Sequence, residues 1–254
     1  MPYYEPTIVE RRELPDAVWL TLLAPELARA VRPGHMLLVR CAPPASSDPL
    51  LRRALFCAAA DAHAGTVALF VPPDEPGRAW LAAQPIGARI DLYGPVGTPF
   101  TLAASTRHLL LVGNGAATPA LALLAQHAVR QQCAVVCVAL TTTPLPPPYL
   151  LPPDVEYHTV ASADELADTL RTGTPALLAW ADQLCAAGSE TELTPLIDAI
   201  HAIRLRWERG FAQVALAGPI PCSLATCLAC MIETRAGARL RCKDGPVFDL
   251  RDLR

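Results

Sequence analysis

HLLLVGNGAATPALALLAQHAVRQQCAVVCVAL, residues 108 to 140, decides the architecture. A short apolar run ends at Gly113-Asn114-Gly115. A helix-length segment follows, and a second apolar run begins near Cys133. Strand, glycine turn, helix and strand make a βαβ unit, whose crossover requires the two strands to lie parallel. Downstream the alternation continues with EYHTVA, helix-like ADELADTLRTG, strand-like PALLAWA, a helix over TELTPLIDAIHAIRLRWERG and a strand AQVALAG. The last helix is read from Leu193, Leu196, Ile197, Ile200 and Ile203 at helical spacing. A parallel sheet covered by helices is expected. The proline-rich TTTPLPPPYLLPP reads as a surface loop.

Upstream of Phe100 the pattern differs. YEPTIVERREL, AVWLTLLAP, PGHMLLVRC, LFCAAA, GTVALFVPP and RIDLYGP are strand-length runs separated by Gly and Pro, as in a small β barrel or sandwich. GRAWLAAQPIG supplies a helical turn beside it. The expected division is a β domain over 1–101, an α/β domain over 102–218 and a cysteine-rich segment over 219–254.

Composition narrows the function. The chain has 254 residues, 52% of them hydrophobic, enough for a sizeable core. A net charge of −3 gives no electrostatic case for nucleic acid. The N-terminal MPYYEPTIVERRELPD meets charge and proline too early for a signal peptide, and every apolar run falls short of a membrane span. A cytoplasmic protein is expected. Nine cysteines, an odd number, do not suit a secreted disulfide framework. Five are scattered, Cys41, Cys57, Cys133, Cys137 and Cys185, and of these Cys41, Cys133 and Cys137, in or at the end of apolar runs, read as buried thiols. The scattered histidines show no metal-ligand spacing, and no catalytic triad or carboxylate pair stands out.

Four cysteines near the C-terminus, Cys222, Cys227, Cys230 and Cys242, are separated by four, two and eleven residues. Three close ligands and a distant fourth is the plant-type spacing for a [2Fe–2S] cluster. Four thiolates also suit zinc, although zinc sites usually pair two short-spaced knuckles and only one is present. Plain thiols are the third reading.

With PGHMLLVR, DPLLRRALF, DLYGPVG, LLLVGNGAATPAL and CKDGPVF in this order, the chain resembles the electron-transfer subunit of type B dihydroorotate dehydrogenase. That family lies within the ferredoxin-reductase-like flavoproteins. The resemblance implies an FAD-binding β barrel, a nucleotide-binding α/β domain and a [2Fe–2S] subdomain held by the four cysteines. It implies an FMN-bearing catalytic subunit as partner, in a heterotetramer of two copies of each, with NAD+ as electron acceptor. Reductase subunits of other NAD(P)H- or ferredoxin-linked complexes share this architecture. A scaffold that has lost FAD is a further alternative.

The resemblance also assigns residues. Arg53-Ala54-Leu55-Phe56 matches the family's flavin motif, with Arg53 expected at the diphosphate and Phe56 where the family has serine. Taken alone, Arg52 and Arg53 read as a solvated pair. Gly77-Arg78 stands at a family G-x-G-T phosphate turn, as though shortened. Gly113 and Gly115 correspond to the glycine turn of the nicotinamide domain, and Cys185 to a cysteine near the nicotinamide. In the cysteine loop Ser223, Leu224, Ala225 and Thr226 replace a glycine-rich stretch.

Overall fold

The computed structural model describes residues 2–142, 144–172, 175–190, 194–204 and 206–253. Its first hundred residues form a seven-stranded antiparallel sheet. The strands are β1 (Tyr3–Tyr4), β2 (Thr7–Glu13), β3 (Val18–Leu23), β4 (Met36–Val39), β5 (Arg53–Asp61), β6 (Thr66–Val71) and β7 (Leu92–Val96), in the order β1-β7-β4-β5-β6-β3-β2. The sheet curls until β2 meets the chain ahead of β7: Ile8 N donates to Ala88 O at 2.9 Å and Ile90 N to Pro6 O at 2.9 Å. Alternate residues point inward, so Ile8, Leu20, Leu22, Leu37, Leu55, Leu69 and Leu92 fill the interior.

Two short helices flank this sheet. Helix α1 (Pro25–Ala30) was not expected from AVWLTLLAP, whose last residues read as strand; Pro25 at its first turn, Glu26 there and Arg29 in its last turn favour a helix. Helix α2 (Pro76–Ala82) falls where GRAWLAAQPIG predicts one.

The second sheet has six strands. They are β8 (His108–Gly113), β9 (Ala134–Leu140), β10 (Val155–Val160), β11 (Gln183–Gly188), β12 (Ala212–Leu216) and, from the tail, β15 (Val247–Asp249), in the order β10-β9-β8-β11-β12-β15. All pairs are parallel except β12 with β15. Helix α3 (Pro119–Arg130) covers one face, and α4 (Ala163–Arg171), α5 (Leu177–Trp180) and α6 (Thr194–Ile203) cover the other. Strand residues alternate between the two: Leu110, Val112, Leu184 and Val214 face α4 to α6, while Leu109, Leu111, Cys137 and Cys185 face α3. Leu123 of α3 joins the barrel core, so this helix ties the two sheets together.

Two expectations need correcting. PALLAWA is not a strand: Leu177–Trp180 is one helical turn, and the strand is the next run, Gln183–Gly188. Both runs are short and apolar, and periodicity alone cannot separate a strand from a buried helical turn at that length. Nor is residue 218 a clean boundary, because β15 pairs Ala215 with Val247 and Gln213 with Asp249 and completes the second sheet. Within the tail, β13 (Met231–Thr234) and β14 (Gly237–Leu240) form a hairpin. Leu193 lies outside the described residues. Among those described, no helix is long and apolar enough to cross a membrane.

Candidate functional site

A cavity of about 480 Å³ opens between the two sheets. One wall is the barrel: Arg53, Ala54, Leu55 and Phe56 at the start of β5, Met36 of β4, and Phe70 and Pro72 at the end of β6. The other comes from turns at the carboxyl ends of β8 and β12, through Ala116, Pro119, Ala217, Gly218, Pro219, Ile220 and Pro221. The chain runs outward from β8 through β9 to β10 and then crosses back to β11 on the other side of β8, and such a switch point opens a crevice where ligands of parallel sheets bind. The volume and mostly apolar lining suit a flat organic ring.

The charged residues cluster at one end. Glu75 caps α2, its carboxylate accepting from Gly77 N at 3.1 Å and Arg78 N at 2.7 Å. Arg53 grips the same carboxylate with both arms, Nε to Oε1 at 2.9 Å and Nη2 to Oε2 at 2.8 Å. Arg53 chiefly, with the two amides, pulls the Glu75 carboxyl down to about 2 against the cost of burial. Arg78 pairs with Asp74 at 2.8 Å, and Arg52 with Asp91 at 2.8 Å beneath the ring of Tyr93. Arg52 and Arg53 are therefore not a solvated pair.

The assigned residues separate into two groups. Arg53, Ala54, Leu55, Phe56 and Arg78 line the cavity. Gly77 is buried beneath it, packed on Pro49 and Cys41, and offers only its amide. Gly113 and Gly115 shape the wall without lining it. A Cβ on Gly113 would meet Thr118 Cγ2 at 2.7 Å, and Gly115 has φ of 73°, so the turn tucks under α3 and presents Ala116. Cys185 is corrected: it is wholly buried mid-strand against α3, burial raises its pKa, and it does not reach the cavity. Cys41, Cys57, Cys133 and Cys137 are buried too.

The cysteine loop adjoins the cavity. Pro219, Ile220 and Pro221 form its wall and Cys222 is the next residue. Its thiols act on one another: Cys227 on Cys222, and both Cys230 and Cys222 on Cys242. Cys222 is drawn down to about 5, chiefly by the amide of Leu224, whose N lies 3.4 Å from its sulfur, then by that of Cys227. Burial, and then the Cys230 thiol, raise Cys242 to about 11. Cys230 and Cys242 sit in the same core as Ile220 and Phe56, whereas Cys227 is exposed. Among the described residues no three His, Cys, Asp or Glu side chains converge to hold a single metal ion.

Sequence reasoning missed Glu75, Asp74 and the Pro219–Pro221 wall. Glu75 was findable, since an acidic residue before Pro-Gly and an apolar run is a helix start.

Comparison with known proteins agrees with this geometry. Residues 220–254 match the family described as the iron–sulfur cluster binding domain of dihydroorotate dehydrogenase B. The electron transfer subunit of dihydroorotate dehydrogenase B (NAD(+)) from Shouchella clausii is 29% identical over 97% of this chain and 96% of its own length. That from Geobacillus kaustophilus is 28% identical over 95% of each. Among solved structures, that of an NADH-dependent reduced ferredoxin-NADP oxidoreductase superposes with a TM-score of 0.79 over 99% of this chain and 90% of its own, at 18% identity. The ferredoxin reductase of carbazole 1,9a-dioxygenase gives 0.62 over 85% and 69%, at 20% identity. On a ferredoxin-reductase-like fold, then, the chain ends in an iron–sulfur domain of the dihydroorotate dehydrogenase B family and is a homologue, along nearly its whole length, of that enzyme's electron transfer subunits.

Proposed function

We propose that this chain is the electron-transfer subunit of an NAD-linked dihydroorotate dehydrogenase serving pyrimidine biosynthesis. It would hold a flavin in the cavity between the sheets and a [2Fe–2S] cluster on Cys222, Cys227, Cys230 and Cys242. The observation that carries this reading is adjacency: the Pro219–Pro221 segment is at once the cavity wall and the lead into the first cysteine. When bound, a flavin and a two-iron cluster exchange two-electron for one-electron transfer.

The protein's own part is placement and shielding. Ala54 to Phe56 supply the apolar wall for the ring. Four thiols separated by four, two and eleven residues supply the four thiolates that a two-iron centre takes. The amides at Cys222 favour its thiolate form. Around the loop Leu224, Leu228 and Met231 are at least half exposed, an apolar surface suited to a catalytic subunit. NAD would enter at the turns after β8 and β12. A cytoplasmic location belongs to the same proposal.

The test is anaerobic purification with iron, sulfide, zinc and flavin quantified. About two iron atoms per chain, with a rhombic resonance after reduction and loss of iron in Cys230→Ser, is the expected result. Zinc in place of iron would refute the cluster. Iron without any affinity for flavin would favour the scaffold alternative.

A further inference from the structure

The cationic groups on the cavity wall are already matched. Arg52 faces Asp91, Arg78 faces Asp74, and Arg53 faces Glu75. Glu75 stands apart because it is wholly engaged. Oε1 accepts from Arg53 Nε and Arg78 N, and Oε2 from Arg53 Nη2 and Gly77 N. Two guanidinium arms and two amides around a pair of anionic oxygens is also how a phosphate is held. The seat for such a group, behind the cavity-lining Arg53 and Arg78, is filled by the chain itself.

We propose that Glu75 is a specificity-determining residue that stands in for a diphosphate. By occupying Arg53 it makes the cavity discriminate between flavins according to their phosphates. This rests on the flavin reading above. A flavin without phosphate places its ring against Ala54 to Phe56 and leaves Glu75 undisturbed. A dinucleotide must expel the carboxylate, breaking four hydrogen bonds, or lie beside it and be repelled. Acid does not open the gate in the working range, because the four donors keep Glu75 ionised far below neutrality. Displacement is thus a competition between anions for Arg53, and charge removal is the direct way to bias it.

The experiment uses flavin-free full-length protein, wild type and Glu75→Gln, titrated with FAD and with riboflavin by flavin fluorescence at fixed ionic strength. Glutamine keeps the length and one acceptor for the helix cap but no charge. The expected result is at least tenfold tighter FAD binding in E75Q, with riboflavin affinity unchanged within about twofold. Equal or weaker FAD binding in E75Q, with riboflavin unchanged, would overturn the stand-in role and leave the flavin site intact. Binding of neither flavin to either protein would overturn the flavin reading and this inference with it. Asp74→Asn guards against misfolding of E75Q. It frees Arg78, whose Nε also lies 3.6 Å from Glu75 Oε1, while keeping the Glu75 charge; a gain for FAD of no more than about threefold is expected, and a gain as large as that of E75Q would make the effect one of general charge and overturn the proposal.

Discussion

Ser223, Ala225 and Leu228 occupy the left-handed region, with φ of 53°, 60° and 58°. Outside glycine this costs about 1–2 kcal/mol per residue, yet three instances fall within six residues. The sequence shows only that glycines are replaced; it does not show that the backbone keeps the conformation glycine would have taken. The reason lies in the amides. Alternating turns aim Leu224 N and Cys227 N at Cys222, and Ala225 N at Cys242, so the loop is shaped to face anionic sulfur. Ala225→Gly should therefore stabilise the metal-free protein by about 0.5–1 kcal/mol, strain relief exceeding the added chain entropy. Ala229→Gly, where φ is not positive, should destabilise it. Urea midpoints of the two variants against wild type decide the matter, and a loss in both would mean that the loop carries no strain. Glu75 is the opposite case in legibility. Its cap is spelled out by Glu75-Pro76-Gly77, while its grip on Arg53, twenty-two residues away in sequence, belongs to the fold.

Elements were legible wherever period and punctuation agreed. Residues 108 to 140 gave β8, α3 and β9 because two apolar runs bracket a longer helical one between glycine and polar turns. PALLAWA failed because two apolar runs stand in tandem, and what selects the second as strand is its position between β8 and β12. The turn that launches β4 holds a consequence that pattern could not show. His35 Nδ1 accepts from Arg32 N at 3.0 Å, and His35 N donates to Arg32 O at 3.0 Å. Burial, then the Arg32 charge, lower its pKa to about 4. The unfolded chain binds the proton more readily, so this contribution is complete above pH 6.5 and is lost as pH falls towards 4. Wild type should lose about 2–3 kcal/mol of stability across that window beyond what His35→Asn loses. Chemical denaturation of both proteins at pH 7 and pH 4.5 measures the difference. Parallel curves would remove His35 as the cause.

At the scale of the whole molecule the cavity exists only if the two sheets keep their relation, and composition gave no hint of what fixes it. Part of the answer is α3, with Leu123 in the barrel core and Leu121 and Leu124 in the core beneath the parallel sheet. The rest is the connector after Phe100, which is clamped by two buried glutamines. Gln183 accepts through Oε1 from Ala103 N and Thr106 Oγ1, and its Nε2 donates to Thr101 O at 2.7 Å and Gly210 O at 3.0 Å. Gln213 accepts from Thr101 N at 3.0 Å and donates to Thr101 O at 2.6 Å. Both sit in strands that otherwise read as apolar, where a lone glutamine looks like an ordinary interruption; only the fold shows that each amide satisfies a segment having no ladder of its own. Gln183→Leu keeps the volume and strands Ala103 N, Thr106 Oγ1 and Gly210 O, while Thr101 O keeps its bond from Gln213, so a loss of about 2–4 kcal/mol is expected. Because the freed groups lie in the connector, the damage should be local as well as global. Limited proteolysis should cut the variant between residues 98 and 107 under conditions that leave wild type whole, and flavin affinity should fall with it. A variant that loses stability but resists cleavage there, and still binds flavin as wild type does, would show that α3 alone holds the sheets in register.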